Sequence, residues 1–179
     1  MVGQAVTLTD NGSALGTATV QSNGSFSTSV TLPSQANNEI LASVSDSYGN
    51  TNNTYLATTG SGQISITATQ GAGMANDLDF TGGITDQNLW FLQSGNDLKI
   101  DILGTNTSVT TTGWFSNSTN QLQEITAGGL KIDSQVSQLV QAMATYSAGN
   151  SGFDPTSPSI STIPANTNLQ AAIASAWHS

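Results

Sequence analysis

The chain has 179 residues, and 11 acidic side chains outnumber the two basic ones, Lys99 and Lys131, so that its formal net charge is -9. Proteins bind a phosphate backbone largely because their basic side chains release its counterions. With two basic residues this contribution is negligible, which excludes nucleic acid as a partner. The sequence contains no cysteine, which excludes disulfides, thiolate catalysis and zinc-thiolate sites.

The low content of charged residues favours a secreted protein. Charged residues make up 7% of the chain, against roughly 25% in an average soluble domain. Ser, Thr, Asn, Gln and Gly take their place, as is typical of secreted β-proteins. No apolar run approaches the ~20 residues of a membrane span, and Met1–Gln4 carries no basic residue of the kind that begins a signal peptide. We therefore expect an exported protein whose export address lies at the C-terminus.

Residues 4–58 are predicted to be all-β. Alternating apolar and hydroxyl residues recur about every ten positions and are separated by turn sequences such as Asp10-Asn11-Gly12. One alternating segment, 26–32, predicts a strand with one buried face. The sequence from Val6 resembles the bacterial Ig-like repeat of large adhesins. The strands that normally precede Val6 are missing, so we expect an incomplete sandwich that is marginally stable or pairs with another segment.

A glycine-rich segment at 59–75 predicts a domain boundary and holds one candidate strand, at 64–69. A second β-unit, 76–132, follows this segment. Its strands are predicted near 77–80, 88–93, 97–103, 107–112, 121–126 and 129–132.

The residues after 132 change to helical periodicity. Val136, Leu139, Val140 and Met143 form one apolar stripe, which predicts a helix that Asp133 or Ser134 caps and Gly149 ends. A polar linker at 150–165 leads to a second helix, which Asn166 or Thr167 would cap. The apolar side of this second helix consists of Leu169, Ala172, Ile173, Ala176 and Trp177.

The segment NLWFLQSGNDLKIDILGTNTSVTTTGWF, residues 88–115, resembles the C-terminal region of large repeat-containing bacterial proteins of the haemolysin-type calcium-binding (RTX) class. Further pieces in the same order extend the resemblance over about 76–179, including Gln138–Met143 and the terminal Ala174–Trp177. Proteins of this class are exported by type I secretion through an uncleaved C-terminal signal. The resemblance implies that residues 165–179, which hold no Asp, Glu, Lys or Arg, bind the type I secretion apparatus. A short helix that covers a sheet edge is a compatible alternative.

Calcium is the cofactor that this resemblance implies. RTX repeats bind calcium through serial Gly-Gly-x-Gly-x-Asp turns, but this chain has only a degenerate remnant at 71–79. Asp77 and Asp79 are two residues apart, so a strand would place both on one face, and they are the candidate calcium ligands. Solvated carboxylates are the alternative. On a later strand, Lys99 lies between Asp97 and Asp101, and we interpret these three residues as neutralised charges.

Nothing in the sequence predicts catalysis. His178 is the only histidine and is next to last in the chain, a poor position for the base of a serine triad. Glu124 is the one acid between apolar neighbours, and an edge or solvent-facing position explains it better than a glycosidase role. The aromatic side chains are interpreted as core, with a sugar-stacking platform as the alternative; they are Trp90, Phe91, Trp114, Phe115 and Trp177.

These patterns together predict a mainly β fold. A partial Ig-like β-sandwich at 1–58 would be followed by an RTX-associated β-domain at 76–132 and a helical tail at 133–179. The predicted function is a non-catalytic structural and export module at the C-terminus of a secreted or surface adhesin-like protein. Preceding Ig-like repeats of a parent chain would be its neighbours, and calcium would promote its folding. The alternative is a carbohydrate-binding β-module that uses exposed aromatic side chains.

Overall fold

A computed structural model describes residues 2–32, 37–68 and 74–179. Over these ranges the chain forms 11 β-strands in two sheets, and two α-helices near the C-terminus. This architecture confirms the predicted fold class, mainly β with C-terminal helices. Its two sheets share one apolar core, as in a β-sandwich.

The strands take the following bounds in chain order: β1 (Ala5–Asp10), β2 (Ser13–Thr19), β3 (Ile40–Ser45), β4 (Thr51–Ala57), β5 (Gln63–Ile66), β6 (Met74–Phe80), β7 (Leu89–Ser94), β8 (Asp97–Ile102), β9 (Ser108–Thr111), β10 (Glu124–Ala127) and β11 (Leu130–Ile132). The larger sheet has the order β11-β10-β6-β4-β3-β1-β2, and the smaller sheet has the order β5-β9-β8-β7. Short 3-10 helices lie at Asp86–Asn88 and Ser118–Asn120.

The larger sheet joins strands from both sides of the predicted boundary at 59–75. Strand β4 precedes this segment, β6 ends beyond it, and the two pair in parallel from Thr51 opposite Met74 to Ala57 opposite Phe80. Strand β10 then pairs in parallel with the other edge of β6. The predicted strand at 64–69 is observed as β5, and residues 69–73 lie outside the described ranges. The division into separate domains stays a prediction.

The larger sheet buries opposite faces at its two ends. The row Leu8, Ala42, Thr54, Asp77 and Glu124 is aligned across β1, β3, β4, β6 and β10, so these side chains share one face. At the β1 end of this face a small apolar cluster forms from Val6, Leu8, Val20 and Ala42. The main core lies on the opposite face, where it includes Tyr55, Leu78 and Ile125.

The smaller sheet and the helices complete the main core. Strand β7 contributes Phe91 and β8 contributes Ile100, both fully buried. Helix α1 (Val136–Gly149) adds its predicted stripe, including Leu139 and Met143. Helix α2 (Thr167–Ala176) adds its own apolar side. Neither helix of the described chain combines the length and the hydropathy that crossing a membrane requires.

The helix termini agree with the sequence only in part. Asn166 caps α2 as predicted, since its side chain accepts the Leu169 N–H at 3.1 Å, and α1 ends at Gly149 as predicted. The predicted cap of α1 by Asp133 or Ser134 is wrong. Gln135 occupies the cap position without a side-chain bond to the helix, and the Ser134 side chain hydrogen-bonds to Asp133 instead.

The predicted strand at 26–32 is also wrong, because no part of it is in a strand. Phe26 packs half-buried against the small cluster, whereas Leu32 is 43% exposed. Alternation gives a segment one apolar side but does not supply a neighbouring strand for its backbone. Among the described strands, the edge strand β2 pairs only with β1.

We expect Leu78→Ala to lower the free energy of unfolding by about 2–5 kcal/mol, the range for truncating a fully buried leucine. Leu78 lies on β6, which joins the two parts of the larger sheet, so both parts should lose structure in one transition. The measurement is urea unfolding followed by tryptophan fluorescence and by far-UV circular dichroism.

Met74→Ala is the matched control, because Met74 lies on the same strand and is 43% exposed. It should change the stability by no more than about 0.5 kcal/mol. Two separate transitions in the unmutated chain would contradict the role given to the β4–β6 pairing. Fluorescence suits this test because all three tryptophans lie C-terminal to β6.

Candidate functional site

The structure places the two predicted calcium ligands on the central strand β6, between β4 and β10. Asp77 and Asp79 are half-buried, whereas Leu78 and Phe80 between and beyond them are buried in the main core. The two carboxylates therefore share the face that carries the small apolar cluster. Their environments on this face differ.

Asp79 has a neutral hydrogen-bond partner on the next strand. Thr126 lies opposite it on β10, and its Oγ1 donates to Asp79 Oδ1 at 2.6 Å. Nearby, Lys131 Nζ lies 3.6 Å from Glu124 Oε2. The β10–β11 side of this face is thus a polar surface in which one carboxylate is bonded by a hydroxyl and another is paired with a lysine.

One carboxylate oxygen of Asp77 has no such partner. Its Oδ1 is buried and has no hydrogen-bond partner in the described part of the chain. Burial and, to a lesser extent, the negative charge of Glu124 together raise the pKa of Asp77 from 3.8 to about 6, against the opposing effect of a hydrogen bond from the Glu124 backbone. This raised pKa indicates that the carboxylate has lost part of its hydration in the folded protein.

A cavity of about 220 Å³ lies on the Asp77 side of the sheet. We call it the Asp77 cavity. Its walls come from β1, β3, β4, β6 and the segment 20–26, and they are formed by Val6, Val20, Gly24, Phe26, Ala42, Val44, Asn52, Thr54 and Asp77. The predominantly apolar walls bring a low-dielectric surface against the carboxylate.

The described residues contain no group of three His, Cys, Asp or Glu side chains placed to hold a metal ion. Calcium takes six to eight oxygen ligands, and the first residues of the degenerate glycine remnant, 71–73, lie outside the described ranges. Calcium binding at Asp77 and Asp79 stays a prediction.

The three tryptophans lie in the core, as their interpretation from sequence predicts. Trp90, Trp114 and Trp177 are 2%, 4% and 6% exposed. Trp90 packs on Phe153 and Tyr146, with ring centroids 4.4 and 5.8 Å apart. These rings leave no broad tryptophan face on which a sugar ring would stack.

A groove of about 600 Å³ lies beside Trp90, where α1 crosses β7. None of its lining residues is charged, and its polar groups come from Gln93, Ser137, Gln141 and Ser147. Sequence reasoning missed this groove because it arises from tertiary packing of a helix on a strand, which leaves no local pattern.

The charges on β8 are partnered. Lys99 Nζ lies 2.7 Å from Asp101 Oδ1, as the interpretation of neutralised charges predicts. Asp97 has a different role, because its Oδ1 accepts the Gly113 N–H at 2.7 Å. This bond ties the β7–β8 turn to the loop after β9.

The predicted export segment, 165–179, is part of the folded core. Helix α2 buries Leu169 and Ile173, and Trp177 follows directly after it. The chain then pairs with the edge of the larger sheet: the Lys131 N–H donates to the His178 carbonyl at 2.8 Å, and the His178 N–H donates to the Lys131 carbonyl at 3.0 Å. His178 Nε2 also lies 3.3 Å from Asp133 Oδ2.

No protein-family model matches this chain.

We expect Asp77→Asn to stabilise the protein by about 1–2 kcal/mol at pH 7.5, a value discounted for the partial exposure of this carboxyl group. The folded-state pKa is raised, so the folded state binds more protons than the unfolded state between about pH 4 and pH 6. The free energy of unfolding falls as pH rises through this window. The gain from Asp77→Asn should vanish at pH 4 and be complete above pH 6.

The measurement is urea unfolding of both proteins at several pH values. Asp79→Asn is the control, because it removes an equal charge from the same face. It should show no gain that grows through this window. A stabilisation by Asp77→Asn that is equal at pH 4 and pH 7.5 would show that ionisation of Asp77 does not cause it.

Proposed function

We propose that this chain is a non-catalytic structural module of a secreted, adhesin-like repeat protein, and that it ends the repeat array and carries the export signal in its last helix. The observation that supports this function best is the difference between the two edges of the larger sheet. One edge is closed by the chain itself and the other is open.

The closed edge is β11. Backbone bonds between Lys131 and His178 occupy it, and Trp177 and α2 anchor the paired tail in the main core. A terminal repeat needs such a cap, because an open edge or face at the end of an array invites association with other chains.

The open edge is β2, whose outer side pairs with no strand in the described part of the chain. Its sequence, SALGTAT, has neither a charged residue nor a proline, which are the usual means of protecting an exposed edge. The only irregularity of its pairing is a register shift opposite Leu8 and Thr9. The preceding Ig-like repeats of a parent chain are the proposed neighbours at this end.

The burial of α2 supports a specific order of events in export. A secretion apparatus that reads residues 165–179 must do so before Ile173 and Trp177 enter the core. The signal is therefore read in the unfolded chain, and folding follows outside the cell. This order fits the type I route that the RTX resemblance implies, and the apparatus itself is the proposed partner.

The carbohydrate-binding alternative is weaker. It requires exposed aromatic side chains, and Trp90, Trp114 and Trp177 are all buried. Tyr48, which is 90% exposed, lies apart from them in the β3–β4 turn.

Deleting residues 165–179 should abolish export from a bacterial host that carries a type I secretion apparatus. Ile173→Ala should leave export intact although it lowers the stability of the purified protein by about 2–5 kcal/mol, because the signal is read before the helix packs. The measurement is the fraction of each variant in the medium, with urea unfolding for stability.

Ala174→Ser is the matched control on the same helix, because Ala174 is exposed. It should change neither stability nor export. Efficient export of the deletion variant would overturn the signal assignment, whatever the state of the fold.

Calcium responsiveness belongs to the same proposal, and thermal melts in EGTA and in a few millimolar calcium test it. A ligand that binds only the folded state stabilises it by RT ln(1 + [L]/Kd), about 2.7 kcal/mol at one hundred times Kd. We expect calcium to raise Tm and both Asp77→Asn and Asp79→Asn to reduce the rise. An unchanged Tm in the parent chain would remove calcium from the proposal and leave the structural and export roles untouched.

A further inference from the structure

We propose that the Asp77 cavity binds a small organic cation, a primary ammonium group carried on a short apolar chain. This site is independent of the export role, because none of its lining residues belongs to the C-terminal segment. Three features of the cavity define the ligand: its size, its walls and its single carboxylate.

The size limits the ligand to a small molecule. At about 220 Å³, the cavity lies below the range of roughly 300–1,000 Å³ that holds drug-sized ligands. Its walls determine the chemistry of the ligand body, since most of them are aliphatic or aromatic. Val6, Val20, Ala42 and Val44 supply aliphatic surface and Phe26 supplies a ring, so an alkyl chain would be desolvated on several sides.

The carboxylate determines the charge of the ligand. Asp77 is the one acidic residue among those that line the cavity. A carboxylate has about four lone-pair sites for hydrogen bonds, and a backbone bond from Glu124 uses one of them. An ammonium group brings three N–H donors and no acceptor. Asp77 would accept one of them, and the side-chain oxygens of Thr54 and Asn52, which also line the cavity, are the available acceptors for the others.

The charges around Asp77 favour a cation over a neutral donor. Glu124 lies opposite it on β10 and raises its pKa by charge repulsion, and the chain as a whole is acidic. Lys131 is the basic side chain on this part of the sheet, and it pairs with Glu124 rather than with Asp77. Among the lining residues, Asp77, Thr54 and Asn52 supply side-chain oxygens, fewer than the six to eight that calcium requires. The calcium prediction therefore concerns the polar surface that Asp77 shares with Asp79, and not the interior of the cavity.

The test is a titration of the full chain with n-butylammonium chloride. Binding is monitored by the backbone amide chemical shifts in two-dimensional NMR and by Tm. We expect saturable shifts at Val6, Ala42 and Val44 and a rise in Tm. 1-Butanol has the same alkyl body without the charge, and it should bind at least tenfold more weakly. Asp77→Asn should weaken n-butylammonium binding at least tenfold.

Asp79→Asn is the control for charge on the same face, and its affinity for n-butylammonium should remain within about twofold of the parent chain, because Asp79 does not line the cavity. Far-UV circular dichroism confirms that each variant is folded. The proposal is overturned if n-butylammonium gives no saturable shifts, if 1-butanol binds equally well, or if Asp77→Asn leaves the affinity unchanged. Shifts at the same residues with calcium alone would also overturn it and would favour the calcium prediction. Failure of export in the deletion variant has no bearing on any of these outcomes.

Discussion

Strands β4 and β6 pair in parallel along their full length, and the position of nearly every other element depends on this pairing. Through β6 it brings β10 and β11 into the same sheet as the N-terminal strands, although these segments are far apart in sequence. It also aligns Tyr55 with Leu78, and both side chains enter the core that the smaller sheet and the helices complete. Without this pairing, β1–β4 would bury only the small cluster around Val6 and Leu8, which is little apolar surface for an independent domain.

The same pairing explains the unusual state of Asp77. Across β4 and β6 the sheet changes from burying one face to burying the other. On the face opposite the main core, the apolar cluster of β1 and β3 gives way to the polar surface of β6 and β10. Asp77 lies where the two surfaces meet, with apolar cavity walls on one side and Glu124 on the other. Burial and repulsion by Glu124 raise its pKa in the same direction, whereas Asp79 lies two residues further along β6 and accepts a hydrogen bond from Thr126.

Local patterns in the sequence were sufficient for much of the fold. Strands β7 and β8 and both helices were predictable because their periodicity and turn residues act over a few positions. The burial of the three tryptophans was predictable as well, since large aromatic side chains dominate cores. The segment 26–32 shows the limit of this reasoning. It has the alternation of a strand, but whether it becomes one depends on a neighbour that its own residues do not specify.

The candidate sites were less predictable for the same reason. Spacing alone placed Asp77 and Asp79 on one face of a strand. It could not reveal that a cavity borders one of them and a threonine hydroxyl the other, because these cavity walls come from segments more than thirty residues upstream, on β1, the segment 20–26 and β3. The groove beside Trp90 also depends on long-range packing, that of α1 on β7. Parallel strand pairing and helix docking are settled by tertiary contacts, for which a single sequence gives only weak evidence.

The C-terminal segment connects the fold to the proposed function through one property, its lack of charge. A helix that packs Leu169, Ile173 and Trp177 into a core gains from an uncharged sequence, because buried charges must be paired. A signal that is recognised in the unfolded chain gains from the same small and apolar residues. The two uses do not conflict, since they occur in different states of the chain. The packing of α2 and the pairing of His178 with Lys131 at the sheet edge belong to the same folded state. Under the proposed function, one packing event would therefore both bury the export signal and cap the array.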